Sequence, residues 1–387
     1  MTRMLLVTVL LAVWSSCREK EPSYPFPEAA WELSTPDAEG IRESTLDSIH
    51  QDILRGDYGP VDHFLVIRHG KIIADHHYER DYKTIAQPYD TTNWIFNYDH
   101  PDWHPYYQYS DLHSLQSVTK SVNAAALGIA IDEGFVGGTG DRTEKYLGKF
   151  ATDWNNPLRK SQRIADLLTM RSGIQWNEGQ YTDSVNTCIT MEASSAWVPY
   201  VLAQPMELQP GTYWEYNSGA SMLLGQIITE ATGRKVDEWT NEKLFKPIGI
   251  NKYQWKTTPA GEVDTEGGLY LAPHDLARFG YLFLRKGKWK DRQIISKDWV
   301  THSTAAVVSD ILPDNKEYNY GYGFQWWVDT RQPATPMCIG YGGQFVQISP
   351  EHDLVVVFNG WNIHYNPVKF ETRDALRTRI IPAVEKP

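Results

Sequence analysis

Residues 117–130 read Ser117-Val118-Thr119-Lys120-Ser121-Val122-Asn123-Ala124-Ala125-Ala126-Leu127-Gly128-Ile129-Ala130. Val122, Ala125, Ala126, Ile129 and Ala130 recur at three- and four-residue spacing until Glu133-Gly134, which predicts a helix. On a helix, positions i and i+3 share a face, so Lys120 reaches the hydroxyl of Ser117. A serine hydroxyl is a weak nucleophile until a base stands beside it. Lysine ordinarily titrates near about 10.4, and burial beside other donors is expected to lower that value. A lone Ser-x-x-Lys arises roughly once by chance in a chain of this size. Its meaning therefore depends on its surroundings.

Upstream, Phe64-Leu65-Val66-Ile67, Arg68-His69-Gly70-Lys71 and Ile72-Ile73-Ala74-Asp75 read as a β-hairpin with glycine in the turn. Residues 80–113 carry Tyr89, Trp94, Phe96, Tyr98, Trp103, Tyr106, Tyr107 and Tyr109 with no clean period, and read as a long aromatic loop. Downstream, helices are expected at Ile164–Met170, Ala193–Ala203, Met222–Thr232, Val236–Leu244 and His274–Arg285. The chain then turns to short strands at Phe324–Val328, Gln344–Ser349 and Leu354–Asn359, with a closing helix over Val368–Ile381. Strands at both ends and helices between them predict an α/β (α+β) fold. Its antiparallel sheet would draw on residues 46–115 and 265–387, with a mostly helical lobe, 116–264, inserted.

The chain has 387 residues, 41 % of them hydrophobic, and a net charge of -11. That suffices for a large core, and no run of Lys and Arg offers a nucleic-acid footprint. Arg3 followed by the apolar run Met4–Val13 has the length of a signal peptide and is too short to span a membrane. Trp14-Ser15-Ser16-Cys17 is similar to a bacterial lipoprotein box, with Trp14 where such boxes usually carry Leu. The expectation is a signal peptide over 1–16, lipidation at Cys17 and a polar, proline-bearing tether over 17–45 with room for one early strand, giving an exported, lipid-anchored protein of the cell envelope. An ordinary secretory signal with an incidental cysteine is the other reading. Cys188 and Cys338 are expected as two separately buried thiols, although an oxidising compartment permits pairing. The twelve histidines are scattered, with no metal-binding spacing and no cofactor motif.

Four further blocks give the Ser-x-x-Lys its context. They are Asp166-Leu167-Leu168-Thr169-Met170-Arg171-Ser172-Gly173, Tyr216-Asn217-Ser218 leading to Leu223-Leu224-Gly225, Gly268-Leu269-Tyr270-Leu271-Ala272-Pro273-His274-Asp275, and Gly340-Tyr341-Gly342-Gly343-Gln344. In this order they resemble the serine β-lactamase and penicillin-binding superfamily. The likeness covers about residues 60–380 and is greatest to the class C-like branch of esterases, amidases and 6-aminohexanoate-oligomer hydrolases.

The resemblance implies Ser117 as nucleophile, Lys120 as its activating cation or base, and Tyr216 as the tyrosine that exchanges the proton with the leaving group. Which of Lys120 and Tyr216 accepts the proton stays open. It also implies an oxyanion site made by the backbone N–H groups of Ser117 and Gln344. Ser218, Tyr341, Gly342, Gly343 and Trp327 would meet the substrate. The aromatic loop with Trp326 and Trp327 would either build an apolar or sugar-stacking wall or simply pack the lobes together.

Two departures shift the expected substrate. β-Lactamases and peptidoglycan peptidases carry Lys or His where Tyr341 stands, a cation suited to a substrate carboxylate. Ser218 stands where many members have Asn. No clear counterpart of the class A deacylating Glu is present. The expected activity is therefore ester or amide hydrolysis of a small or oligomeric substrate, without metal or cofactor. A β-lactamase or D-alanyl-D-alanine carboxypeptidase is the second reading, and a catalytically idle envelope binding protein the third.

Overall fold

The computed structural model describes residues 24–80, 84, 85, 87, 111–150, 152–179, 185–312, 320–363 and 366–385. Cys17, the signal segment and nearly all of the aromatic loop lie outside the described residues. Strand β1 is Glu32–Leu33, helix α1 Glu43–Leu54, and the hairpin is β2 (Val61–Arg68) with β3 (Lys71–His77). Then come α2 (Val118–Asp132), α3 (Ser218–Thr232) and α4 (Pro273–Leu284). Strands β4 (Tyr320–Tyr322), β5 (Trp327–Asp329), β6 (Thr335–Gly340), β7 (Gln344–Ser349) and β8 (Leu354–Gly360) complete the main sheet.

The eight strands run in the order β1-β3-β2-β8-β7-β6-β5-β4. Every neighbouring pair is antiparallel except β1 with β3 at the edge. The two chain ends meet at the β2–β8 seam, where Val66 faces Val356 and Phe64 faces Phe358.

Strands covered on both faces lose the polar half of their alternation and become near-continuous apolar runs. Here Phe64, Val66, Val356 and Phe358 enter a smaller core with Leu46 and Ile49 of α1 and with Leu376 and Ile380. Leu65, Ile67, Val355 and Val357 face the other way, into the large core with the helices. Helix α4 lies close on that face: a Cβ on Gly280 would come 2.7 Å from Val346 and 2.8 Å from Val355. Helix α2 is buried from Val118 to Ala130, as expected of a helix surrounded by protein on all sides.

Several expectations shift in the structure. The helix expected over Ala193–Ala203 is two helices, Thr187–Glu192 and Trp197–Ala203. Ser194 closes the first by donating its hydroxyl to Met191 O at 2.7 Å, a local bond that competes with helix continuation. The closing helix starts only at Thr372, because the N–H groups of Lys369 and Phe370 are both given to Asp57 O at 3.0 Å. Helices Glu43–Leu54 and Lys297–Thr304 were not foreseen.

The expected tether is also corrected over residues 24–45. Tyr281 donates its hydroxyl to Pro25 O at 2.8 Å, and Arg278 donates to Pro27 O and Glu28 O. This segment is therefore docked on α4.

Candidate active site

Ser117 sits at the N-terminal end of α2, just after Gln116, whose φ of 50° is in the left-handed region. A non-glycine residue there is uncommon and turns the chain sharply. This turn is fixed from its upstream side by Leu115, whose N–H goes to Leu269 O at 2.9 Å, and by Gly340, where a Cβ would meet Leu115 O at 2.3 Å. Glycine at 340 is what lets β6 approach the nucleophile turn so closely.

One helical turn on, Lys120 is 1 % exposed. Its Nζ donates to Ser117 Oγ at 2.8 Å, to Glu266 O at 2.7 Å and to Glu266 Oε2 at 3.0 Å. The ring of Tyr216 lies 5.3 Å from the same nitrogen, and its hydroxyl is within hydrogen-bonding reach of Ser117. Tyr216 is positioned by the 166–173 block. Glu215 donates its N–H to Met170 O at 2.8 Å, and Asn217 Nδ2 donates to Ser172 Oγ at 3.3 Å. Asn217 also caps α3, its Oδ1 accepting from Ala220 N at 2.9 Å.

The electrostatics correct one expectation. Burial works against the charge on Lys120, but the Tyr216 phenol oxygen and the Glu266 and Glu178 carboxylates outweigh it and hold the ammonium above its ordinary range. Lysine beside a carboxylate keeps its proton. Burial raises the Tyr216 hydroxyl and Glu178 adds to this, while Lys120 and the contact with Ser117 pull it down without cancelling the rise. The resting pair is thus an ammonium and a phenol.

These residues open into a cleft of about 420 Å³. Ser117, Tyr216, Trp327, Tyr341, Gly342 and Gly343 all line it, together with Tyr58, Phe345, Asn362 and Arg373. Trp327 packs on Tyr216 with ring centroids 5.7 Å apart. Its neighbour Trp326 points to the opposite side of the strand and is buried against Phe279 and Phe283, so the expected pair of wall tryptophans reduces to Trp327. Tyr341 donates its hydroxyl to Ile363 O at 2.5 Å.

The positive φ values of Gly342 (82°) and Gly343 (100°) make the tight turn into β7. Gln344 follows, between the cleft residues Gly343 and Phe345. Its side chain is tied into the sheet by donating to Gly360 O at 2.6 Å.

Ser218 is fully buried and gives its hydroxyl to Glu178 Oε1 at 2.6 Å. Glu178 is one of the cleft residues that sequence reading missed. It accepts from Ser218 N at 2.7 Å and Trp176 Nε1 at 2.8 Å, which places a carboxylate at the N-terminus of α3. Glu266, also missed, immediately precedes Gly267-Gly268, and that Glu-Gly-Gly run ahead of an apolar strand was the available signal.

Among the described residues, two sets of side chains come within ligating distance of one another: His63, Asp75 and His274, and Cys188, Glu192 and Glu266. In the first, Asp75 already accepts from both imidazoles, at 2.7 and 2.8 Å. Neither set lines the cleft. Cys188 and Cys338 are separate, buried free thiols.

The family model described as Beta-lactamase matches residues 58–377. A 6-aminohexanoate-dimer hydrolase of Paenarthrobacter ureafaciens is 25 % identical over 262 residues, covering 64 % of this chain and 65 % of that protein. The match thus spans just under two thirds of that relative's length. The fold is similar to that of EstCE1, a hydrolase with promiscuous acyltransferase activity, with a TM-score of 0.67 and 16 % identity over 90 % of this chain and 100 % of that one. It is also similar to the octameric penicillin-binding protein homologue from Pyrococcus abyssi, at 0.59 and 17 %, covering 83 % and 74 %.

Proposed function

Because the chain belongs to the β-lactamase family of serine hydrolases, we propose that it cleaves an ester or amide bond through an acyl-enzyme on Ser117. The observation that carries this reading is the hydrogen bond from Lys120 Nζ to Ser117 Oγ at 2.8 Å, at the floor of a cleft shared with Tyr216. An ammonium has three donors and no lone pair. All three donors of Lys120 are in use, so it acts as a fixed charge and not as the proton acceptor.

When the pair gives up one proton it comes from Tyr216, because Lys120 stabilises the phenolate while Glu266 and Glu178 hold the proton on Lys120. Tyr216 then takes the Ser117 proton as the hydroxyl attacks, and returns it to the leaving alcohol or amine. The carbonyl oxygen takes up negative charge beside the N–H groups of Ser117 and Gln344. Water enters by the reverse route to release the acid.

An aromatic cleft of Tyr58, Trp327, Tyr341 and Phe345 favours an apolar acyl or amine portion. The likeness to a 6-aminohexanoate-dimer hydrolase points to amides of small chain acids within that class. The Cys17 box supports export and lipid anchoring in the cell envelope.

One observation favours a second reading. Among the described residues lining the cleft, Arg373 is the only basic one, and it can take a substrate carboxylate in place of the cation missing at Tyr341. That would admit penicillins or a D-alanyl terminus.

The purified chain, treated with a fluorophosphonate probe and with a fluorescent penicillin, separates the two. Labelling at Ser117 by the fluorophosphonate alone, with turnover of short acyl esters, is the expected result. Stable labelling by penicillin that Arg373→Ala removes establishes the second reading. Labelling by neither leaves an idle binding protein.

A further inference from the structure

Beneath Lys120, the Glu266 carboxylate that holds it continues into a line of two further buried groups, Glu192 and Cys188, that the proposed chemistry does not use. Glu266 is 4 % exposed, Glu192 5 % and Cys188 1 %. Lys120 Nζ sits 3.0 Å from Glu266 Oε2. Glu192, at the end of helix Thr187–Glu192, brings its carboxylate up against that of Glu266, the two and the Cys188 thiol all lying within 4.8 Å of one another, and its Oε1 is 3.8 Å from Cys188 Sγ. Two carboxylates this close and out of water cannot both carry charge at neutral pH, so one of them holds a proton.

The ammonium of Lys120 decides which. Glu266 faces it directly and gains most by staying ionised, so the proton belongs on Glu192. Burial and the neighbouring Glu266 charge both raise the Glu192 carboxyl far above the carboxylate range, with Lys256 opposing and Asp264 adding to the rise. Cys188 is also raised by burial and by the surrounding acids, and stays a thiol.

We infer that Glu266 is the positioning anion of the active site and that Glu192 is its permanently protonated partner, so that Lys120, Glu266 and Glu192 together carry no net charge. Glu266 holds the Lys120 ammonium against Ser117 with both a carbonyl and a carboxylate. Glu192 donates to that carboxylate and keeps it from turning away or adding a second negative charge. The groups facing this line are Tyr216 and Glu178 from the cleft side, and Cys188, Lys256 and Asp264 from below. None of Glu266, Glu192 or Cys188 lines the cleft, so their influence reaches substrate only through Lys120.

The inference rests on Ser117 being the nucleophile, and its test keeps the two apart. The profile of kcat/KM against pH on a short acyl ester is measured for the wild type, Glu266→Gln, Glu266→Asp and Glu192→Gln, each checked for folding by thermal melting. Removing an anion beside Lys120 and Tyr216 favours their deprotonated forms. The Glu266→Gln profile should therefore move to lower pH by at least about one unit, the low end of what an adjacent charge contributes. Its peak kcat should fall on the order of 10²-fold with KM little changed.

Glu266→Asp, which keeps the charge, should restore the wild-type position of the profile. Glu192→Gln, which replaces one neutral donor by another, should also keep that position. A Glu266→Gln profile that does not move overturns the inference. A Glu192→Gln profile that moves as Glu266→Gln is expected to overturns the proton assignment, and this variant decides alone if Glu266→Gln does not fold. A wild type that a fluorophosphonate fails to label at Ser117 removes the underlying reading instead.

Discussion

Ser117→Ala is expected to abolish turnover, lowering kcat on the order of 10⁴- to 10⁶-fold, the range seen when a serine nucleophile is deleted from a coupled site. The fold should survive the change. Ser117 is only half-buried, and Lys120 keeps two of its three acceptors, both on Glu266. Stability should stay within about 1 kcal/mol of wild type, as for most substitutions that bury no new unpaired group. Kinetics on a short acyl ester and a thermal melt on the same preparation check both halves. A variant that keeps more than about a tenth of wild-type kcat would show that the bond is broken elsewhere; the residual rate of such deletions is far below that.

Lys120→Ala should be the most damaging single substitution. It removes the cation from a fully buried site and leaves the Glu266 carboxylate without its counter-charge. Breaking a buried ion pair from one side typically costs about 3–5 kcal/mol. The loss should depend on pH with a definite sign. Without Lys120, the buried carboxylate can escape its penalty only by taking up a proton, so the folded state would bind more protons than the unfolded chain above the ordinary glutamate range of about 4.3.

Stability of the variant should therefore fall as pH rises, and urea midpoints should show a larger deficit at pH 8 than at pH 5. In the wild type, Lys120 is held above its ordinary range. Its stabilising contribution is therefore complete below about pH 10.4 and fades only as the pH climbs through the folded value. A Lys120→Ala deficit that is small, or equal at the two pH values, would contradict the charge assignment around Glu266. Activity should be lost together with stability, because the phenolate form of Tyr216 then has no adjacent cation.

The local patterns were legible wherever one helix or strand carries the information. The i, i+3 spacing of Ser117 and Lys120 needs only one helical turn, and the structure returns it as a 2.8 Å contact. The apolar runs at 344–349 and 354–359 read as strands because both faces of that sheet are covered. Side-chain direction was harder. Trp326 and Trp327 are adjacent, and only the path of the strand decides that the second enters the cleft.

The electrostatic partners were not legible at all. Glu266 is 146 residues from Lys120, and Glu178 is 40 residues from the Ser218 that it binds. Sequence spacing shows that Lys120 can reach Ser117, but the sign of its shift depends on which distant carboxylate arrives beside it. The expected depression of Lys120 reversed for that reason. The early segment misled for a related reason: residues 24–45 are polar and proline-bearing, yet their backbone carbonyls are what Arg278 and Tyr281 bind.

The most direct measurement mixes the wild-type chain with an activated short-chain ester, quenches in acid within the first turnovers, and reads intact mass followed by a peptide map. One added acyl group on the peptide that contains Ser117, absent from Ser117→Ala, is the predicted result. Turnover with no covalent adduct, or an adduct that maps to Tyr216 or Cys188, would contradict the account.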